Sequence, residues 1–360
     1  MPYKIGSFNL HNAGQNTKEE KLKMIAHIIQ SEQFDLVALQ EVFCNFAQTR
    51  NTISYDDYSE DNSDKYPPLS GIIKNLGSKW KGFFTAPPQS RDAKEGYAFL
   101  WNTDKFDLPV NTIGRKFYPR IINNYTWIDS TQKRQLIRNP LYGRFIVKDG
   151  QYLELRIINT HIRFSKDAGK NSDNQDEQNE PSLSDVKMRL EEFDVITKMI
   201  YPHVADKIYG NYEDFASRPS YTIIVGDYNL NLNRNWTKSP YLTGREEFET
   251  GRYRIRKMKT VQEGLTTLKR IPEGEEEEWN KQQKWSNNYD HATYDANYFS
   301  NKGMSVSVHK VDAVRKYGKT EEPFVYYRKN ISDHIPIRVE LDTKTLSLNN
   351  TRSFYINVNS

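Results

Sequence analysis

The chain has 360 residues, 36% of them hydrophobic and 27% charged, with a formal net charge of +4. That length suits one large domain or two ordinary ones and can bury a sizeable core despite a mean hydropathy of −0.83. No apolar run approaches the ~18 residues a membrane helix needs, Met1-Pro2-Tyr3-Lys4-Ile5 lacks a signal-peptide layout, and the single cysteine, Cys44, excludes an intrachain disulfide framework. A cytoplasmic chain with no membrane partner is therefore expected.

The first expected strand covers residues 3–9. Thr17 and Glu20 have the spacing of a capping box, and Leu22, Ile25 and Ile29 then recur at helical spacing as far as Gln33. Residues 35–41 form a short apolar run that ends on a carboxylate. Strand, helix, strand is the opening of a layered α/β fold. Residues 45–68 are polar and turn-rich, as a surface excursion would be. Further strands are expected at residues 97–101, 142–147, 152–159 and 221–225. Residues 166–181 form an acidic, Asn-rich loop, and Val186, Leu190, Phe193 and Ile200 mark one face of a long helix. Residues 305–311 and 335–341 supply closing strands.

The stretch at about 232–289 is too long for an ordinary loop. It carries a basic run at residues 252–259 and a Glu run at 275–278. An insertion with some structure of its own is expected there, within a single catalytic domain at residues 1–342, followed by a polar tail at 343–360.

Several strand ends finish on groups suited to metal or phosphate chemistry. Ser7-Phe8-Asn9-Leu10 ends the first, Gln40-Glu41 the second and Asn159-Thr160-His161 a central one. Gly226-Asp227-Tyr228-Asn229 follows an apolar run, and Ser332-Asp333-His334 precedes Ile335-Pro336-Ile337. Polar side chains held together at sheet edges make a preorganised site. Each has a plainer account when taken alone. Gly-Asp-x-Asn makes a turn, His161 is a satisfied structural histidine, Glu41 a solvated strand end and Asp333 a turn cap. As an ordered set of five, each abutting an apolar run, they outweigh those accounts.

The set resembles the endonuclease/exonuclease/phosphatase superfamily, the deoxyribonuclease-like fold, from Asn9 to His334, and is nearest its non-specific deoxyribonuclease branch. The resemblance implies an α/β (α+β) class: a four-layer sandwich of two mixed β-sheets packed face to face and flanked by helices. It also implies a Mg²⁺-dependent phosphodiester hydrolase, an endonuclease acting on DNA, with Mn²⁺ as a substitute cofactor. Glu41 then matches the principal metal ligand, assisted by Asn9 and Asp333. Mg²⁺ takes hard oxygen donors and keeps several waters, and no Cys/His cluster at zinc spacing competes.

His334 matches the general base, a role suited to a group that titrates near neutrality. Its orienting carboxylate is expected to be Asp295, in preference to Asp290 of Asp290-His291. His291 is expected at the surface or behind the site. Asp227 and Asn229 match the pair that contacts the phosphate and leaving group. His161 matches the second histidine, which binds a phosphate oxygen or protonates the leaving group, with Glu95 as its partner. Arg138 matches the phosphate clamp, and Arg144 is a weaker candidate.

DNA as partner is favoured by the Glu95, Arg138 and His161 combination, by the basic run, whose Lys and Arg suit phosphate contacts, and by 23 tyrosines, whose rings can stack on bases. The alternatives are a phosphatase or phosphodiesterase of inositol phosphates or sphingomyelin-type lipids, and a catalytically silent binding protein.

Overall fold

In chain order the described elements begin with β1 (Tyr3–Ala13), α1 (Glu19–Ser31), β2 (Leu36–Phe43), α2 (Pro67–Leu76), β3 (Trp80–Thr85) and β4 (Glu95–Asn102). The short strands β5 (Phe106–Asp107), β6 (Arg120–Ile121), β7 (Thr126–Asp129) and β8 (Gln132–Gln135) lead to β9 (Leu141–Val147) and β10 (Glu154–His161). Helix α3 (Leu183–Val195) runs through a π turn at Ile196–Ile200 into α4 (Tyr201–Asp206). Then come β11 (Ser220–Asp227), β12 (Glu247–Thr250), β13 (Arg256–Val261) and β14 (Asp290–Asp295). The chain closes with α5 (Ala296–Asn301), β15 (Ser305–Lys310), α6 (Ala313–Tyr317), α7 (Pro323–Asn330) and β16 (Ile337–Asp342). This is a computed structural model, and it describes residues 2–14, 16–43, 67–85, 95–111, 113–123, 125–129, 132–148, 153–164, 183–209, 219–232, 247–250, 254–261, 264–270, 284–318 and 321–343.

One sheet has the order β15-β16-β1-β2-β4-β3, and the other β12-β13-β14-β11-β10-β9-β5, with β6 also on β9. Both are mixed: β1 runs parallel to β2 and β10 parallel to β11, while the other neighbours are antiparallel. Alternation along each strand decides what goes where, because successive side chains point to opposite faces. Tyr3 and Ile5 of β1, Leu36 and Ala38 of β2, and Tyr97, Phe99 and Trp101 of β4 meet Leu155 and Ile157 of β10 and Tyr221, Ile223 and Val225 of β11 in one buried core. The intervening residues face outwards. Phe8, Leu10, Val37 and Leu39 pack under α1, α2 and α6, and Ile158 and Ile224 pack under α3 and α4. The result is the four-layer sandwich expected from the motifs.

Several local expectations change. Helix α1 starts on Lys18 with no side-chain cap. The Thr17 hydroxyl instead accepts the Gly14 amide at 2.7 Å, so the capping-box spacing serves the preceding turn. Within the 232–289 stretch, β12 and β13 join the second sheet, with β13 pairing along β14 and β12 along β13. Within the basic run Arg256 is 2% exposed and ion-paired with Asp206. Arg254 also approaches Asp206, at 3.9 Å, and stacks on Tyr298. Arg256 thus ties β13 to the outer helical layer, while Arg254 keeps half of its side chain exposed. Residues 166–181, 275–278 and 344–360, and most of 45–68, lie outside the described residues.

Candidate active site

The alternation that fills the core continues to the strand ends. Asn9 follows Tyr3, Ile5 and Ser7 on the inner face of β1. Gln40 does so on β2, Asn159 and His161 on β10, and Asp227 on β11. All five are buried. Gln40 Nε2 donates across the sandwich to Asn159 Oδ1 at 2.7 Å, and Asn159 Nδ2 donates to the Leu39 and Ala98 carbonyls. These bonds tie the two sheets together directly beneath the site. Glu41, by parity, belongs on the outer face. A register shift in β2 between Leu39 and Val42 and a left-handed backbone at Glu41 (φ 53°) re-aim its carboxylate. Matching irregularity in β1 places His11 (φ 46°) and Asn12 (φ 59°) beside it.

Two carboxylate–histidine units result. His334 Nδ1 donates to Asp290 Oδ2 at 2.8 Å, and its Nε2 lies 3.6 Å from Asp227 Oδ2. His161 Nδ1 donates to Glu95 Oε1 at 2.5 Å, and its Nε2 lies 3.5 Å from the same Asp227 oxygen. Arg138 joins the second unit. Its Nη2 meets Glu95 Oε2 at 2.6 Å, and its Nη1 lies 3.0 Å from both ring nitrogens of His161. Asn229 (φ 49°) donates its backbone N–H to Asp227 Oδ1 at 2.8 Å, and its Nδ2 lies 3.2 Å from His161 Nε2. The Asp-x-Asn turn and the site are thus the same structure. Gly226 makes it possible: φ is +148°, and a Cβ there would lie 1.8 Å from the Thr160 carbonyl oxygen.

The carboxylate on His334 is Asp290; the expectation of Asp295 is corrected. Residues 290 and 295 are five apart on one strand and so face opposite ways. Asp290 shares the inner face with Ala292 and Tyr294. Asp295 faces outwards, where it caps α5 by accepting the Tyr298 N–H and lies 3.9 Å from Arg256. His291 is fully buried and bonded to the Leu230 carbonyl, neither at the surface nor open to substrate, and burial pushes its pKa down. Arg144 is also away from the site. It makes a two-point ion pair with Glu154 and lies over Tyr209.

The metal candidates form a second corner. Asn9 Nδ2 donates to Glu41 Oε1 at 2.9 Å and to Asp227 Oδ2 at 3.1 Å, while its Oδ1 accepts the His11 N–H. Asn9 thus bridges two carboxylates through its amino group, with its oxygen turned to the backbone. Glu41 Oε2 accepts the Asn12 N–H at 2.9 Å. Asp333 lies 2.5 Å from His11 Nδ1 and 3.5 Å from Arg328. Lys21 donates to the Leu10 and His11 carbonyls beside the same two acids. Among the described residues no group of three or more His, Cys, Asp or Glu is gathered for a metal. Mg²⁺ needs only one or two carboxylates, with water and phosphate oxygens completing its shell. Glu41 and Asp333 are chemically suited as that donor set.

Electrostatics follow from burial and from these partners. Burial opposes a charge on His161, and so does Arg138, yet Glu95 and Asp227 outweigh both and raise its pKa to about 9. His334 is likewise raised well above the ordinary value, because Asp290 and Asp227 overcome its desolvation. Burial pushes Asp227 up against the pull of the two histidines. Burial would also raise Asp333, but His11, His334 and Arg328 hold it far below the usual range. Desolvation lowers Lys21 to about 8.

No protein-family model and no curated protein matches the chain. Among solved structures it is similar to an endonuclease/exonuclease/phosphatase family protein of Bacteroides thetaiotaomicron, at 14% identity over 95% of this chain and 97% of that one, TM-score 0.47. It is also similar to a mannosyl-6-phosphatase of the same organism (14%, 94% and 99%, TM-score 0.46) and to D. rerio TDP2 complexed with a single-strand DNA product (14%, 95% and 99%, TM-score 0.48). Likeness at this level carries nothing about the reaction. Two mixed sheets flanked by helices, with the five motifs converging at one end, are what the resemblance to the superfamily implied, and in fold that resemblance holds.

The sequence motifs did not single out His11, Lys21 or Arg328 as parts of the site. His11 had a signal in its place two residues after Asn9. Lys21 and Arg328 had none, because each reaches the site only through helix packing.

Proposed function

We propose that the chain is a divalent-metal-dependent phosphoesterase of the endonuclease/exonuclease/phosphatase type, hydrolysing a phosphodiester of DNA by attack of water. The observation that carries this is the convergence of two carboxylate-backed histidines, Asp290–His334 and Glu95–His161, on one Asp227 oxygen. Two imidazoles with opposite proton tasks are what displacement at phosphorus needs. The water oxygen bonds to phosphorus as its proton passes to His334 Nε2. The bond to the leaving oxygen breaks, and that oxygen takes the proton of His161 Nε2. Asn229 and Arg138, whose planar fork matches phosphate geometry, hold the non-bridging oxygens. Glu41 and Asp333 would hold the divalent cation, Mg²⁺ or Mn²⁺, which when bound polarises the phosphate. Asn9 fixes Glu41 against Asp227.

DNA is supported by the Glu95–Arg138–His161 grouping, which has the closest resemblance to the deoxyribonuclease branch. Arg256 does not add to that support, being buried and paired with Asp206. One observation favours a second reading, a compact phosphoester such as an inositol phosphate or a sphingomyelin-type head group. A cavity of about 700 Å³ opens beside the site, lined by Asn12, Lys21, Phe43, Tyr326 and Lys329 among others. A substrate panel in Mg²⁺ and in Mn²⁺ decides between them. Plasmid cleavage with inert inositol phosphates and sphingomyelin supports DNA, and the reverse pattern supports the second reading. No cleavage of any phosphoester would contradict both.

A further inference from the structure

Helix α3 lies behind the His161 half of the site, and two of its buried charged side chains take no part in the reaction above. Arg189 is 1% exposed and so is Glu192. They stand three residues apart, on one face of the helix. Burying such groups is costly unless they are bonded, and what they bond is informative. Glu192 Oε1 accepts the backbone N–H of Ile137 at 2.7 Å, and the carboxylate also takes the backbone N–H of Arg163. Ile137 immediately precedes Arg138, and Arg163 follows His161 by two residues. Arg189 donates to the carbonyl of Asn229 and lies 4.5 Å from the centre of the Phe164 ring. One helix face therefore grips the backbone of all three segments that supply the phosphate side.

We infer that Glu192 is a positioning residue. By clamping the Ile137 and Arg163 amides together, it holds Arg138 in register with the Glu95–His161 pair. The geometry around Arg138 shows why position matters. Arg138 must reach Glu95 at 2.6 Å and lie 3.0 Å from both nitrogens of the His161 ring, while the chain from Leu136 to Pro140 has no regular secondary structure of its own. Burial pushes the Glu192 carboxyl up to about 7, against the pull of the two amides and of Arg138 and Arg163. An acceptor is what the site uses, since a carboxyl oxygen accepts the Ile137 N–H in either charge state. A merely structural buried acid would also leave its amides unpaired on removal, at a cost in stability, but would move neither phosphate affinity nor the His161 titration.

The inference rests on the proposed reaction only for its activity readout. Three measurements are made on the full chain: turnover on plasmid, affinity for inorganic phosphate by calorimetry, and the NMR titration of the His161 imidazole. Glu192→Leu is expected to weaken phosphate binding about 10-fold and turnover on the order of 30-fold, and to move the His161 titration. Glu192→Gln keeps one acceptor oxygen for the two amides and is expected to fall between wild type and the leucine variant in both. Should the leucine variant fail to fold, Glu192→Asp, which keeps the charge but withdraws the acceptor, is expected to show the same losses. Wild-type phosphate affinity and an unmoved His161 titration in the leucine or aspartate variant would overturn the inference. So would a glutamine variant as impaired as the leucine one. If wild-type protein cleaves no phosphodiester while phosphate binding still separates the variants, the reaction is wrong and the positioning role stands.

Discussion

At the residue scale, His334 and His161 are both buried, and two carboxylates raise the pKa of each, that of His161 to about 9. The base step uses the neutral form of His334 and the acid step the protonated form of His161. Asp290→Asn removes the carboxylate charge that orients and stabilises the protonated His334 ring and is expected to lower turnover by about 10²-fold or more. Asp295→Ala is expected to leave turnover within about twofold while costing about 1 kcal/mol from the lost α5 cap. Equal activity losses in the two variants would speak against the Asp290 assignment. His161 supplies the pH dependence. Its pKa in the fold is about 9, above the ~6.5 of an unfolded histidine. A raised pKa means that its stabilising contribution is complete below about 6.5 and is lost as pH rises through about 9. Activity that needs the His161 proton should fall over the same alkaline range. In Glu95→Gln the NMR titration and the alkaline limb should both move towards neutrality. A limb that stays in place would remove His161 from the proton-donating role.

At the scale of elements, the sequence already carried the strands, because each core strand is an apolar run with a polar end. It also carried Asn9, His161 and Asp227, which follow those runs directly, and His334, which precedes one. What it did not carry was set by geometry across strands. Asp290 against Asp295 depends on which parity of β14 faces inwards, and that is fixed by Ala292 and Tyr294 meeting the opposite sheet. Glu41 reaches the site only through a bulge with left-handed backbone, which no apolar pattern announces. Within the basic run, the pairing that takes Arg256 out of the accessible surface runs to a distant residue, Asp206, and so leaves no mark in local sequence. The glycine at 226 tests how tightly β10 and β11 define the site. Gly226→Ala sets a Cβ against the Thr160 carbonyl and is expected to cost at least about 2 kcal/mol and to abolish activity. Gly77→Ala, also at positive φ but with nothing within 4 Å, should cost about 1 kcal/mol of backbone strain and spare turnover. Thermal denaturation and initial rates on both variants measure the contrast.

At the scale of the whole molecule, two sheets each deliver half of the chemistry. The first carries Asn9 and Glu41 on adjacent strands and Glu95 on the next, and the second carries His161, Asp227 and Asp290. The Gln40–Asn159 bond at 2.7 Å and the Asn9–Asp227 bond at 3.1 Å cross between them, so the site forms only when the sandwich is closed. Hydrolysis should accordingly be lost in one step with global unfolding. The most direct test of the proposed reaction is nicking of supercoiled plasmid in Mg²⁺, followed with and without a chelator and repeated with His334→Ala. Nicking by wild type that stops on chelation and falls by about 10²–10⁴-fold in His334→Ala is the expected result. Nicking that survives chelation, or a His334→Ala variant as active as wild type, would contradict it.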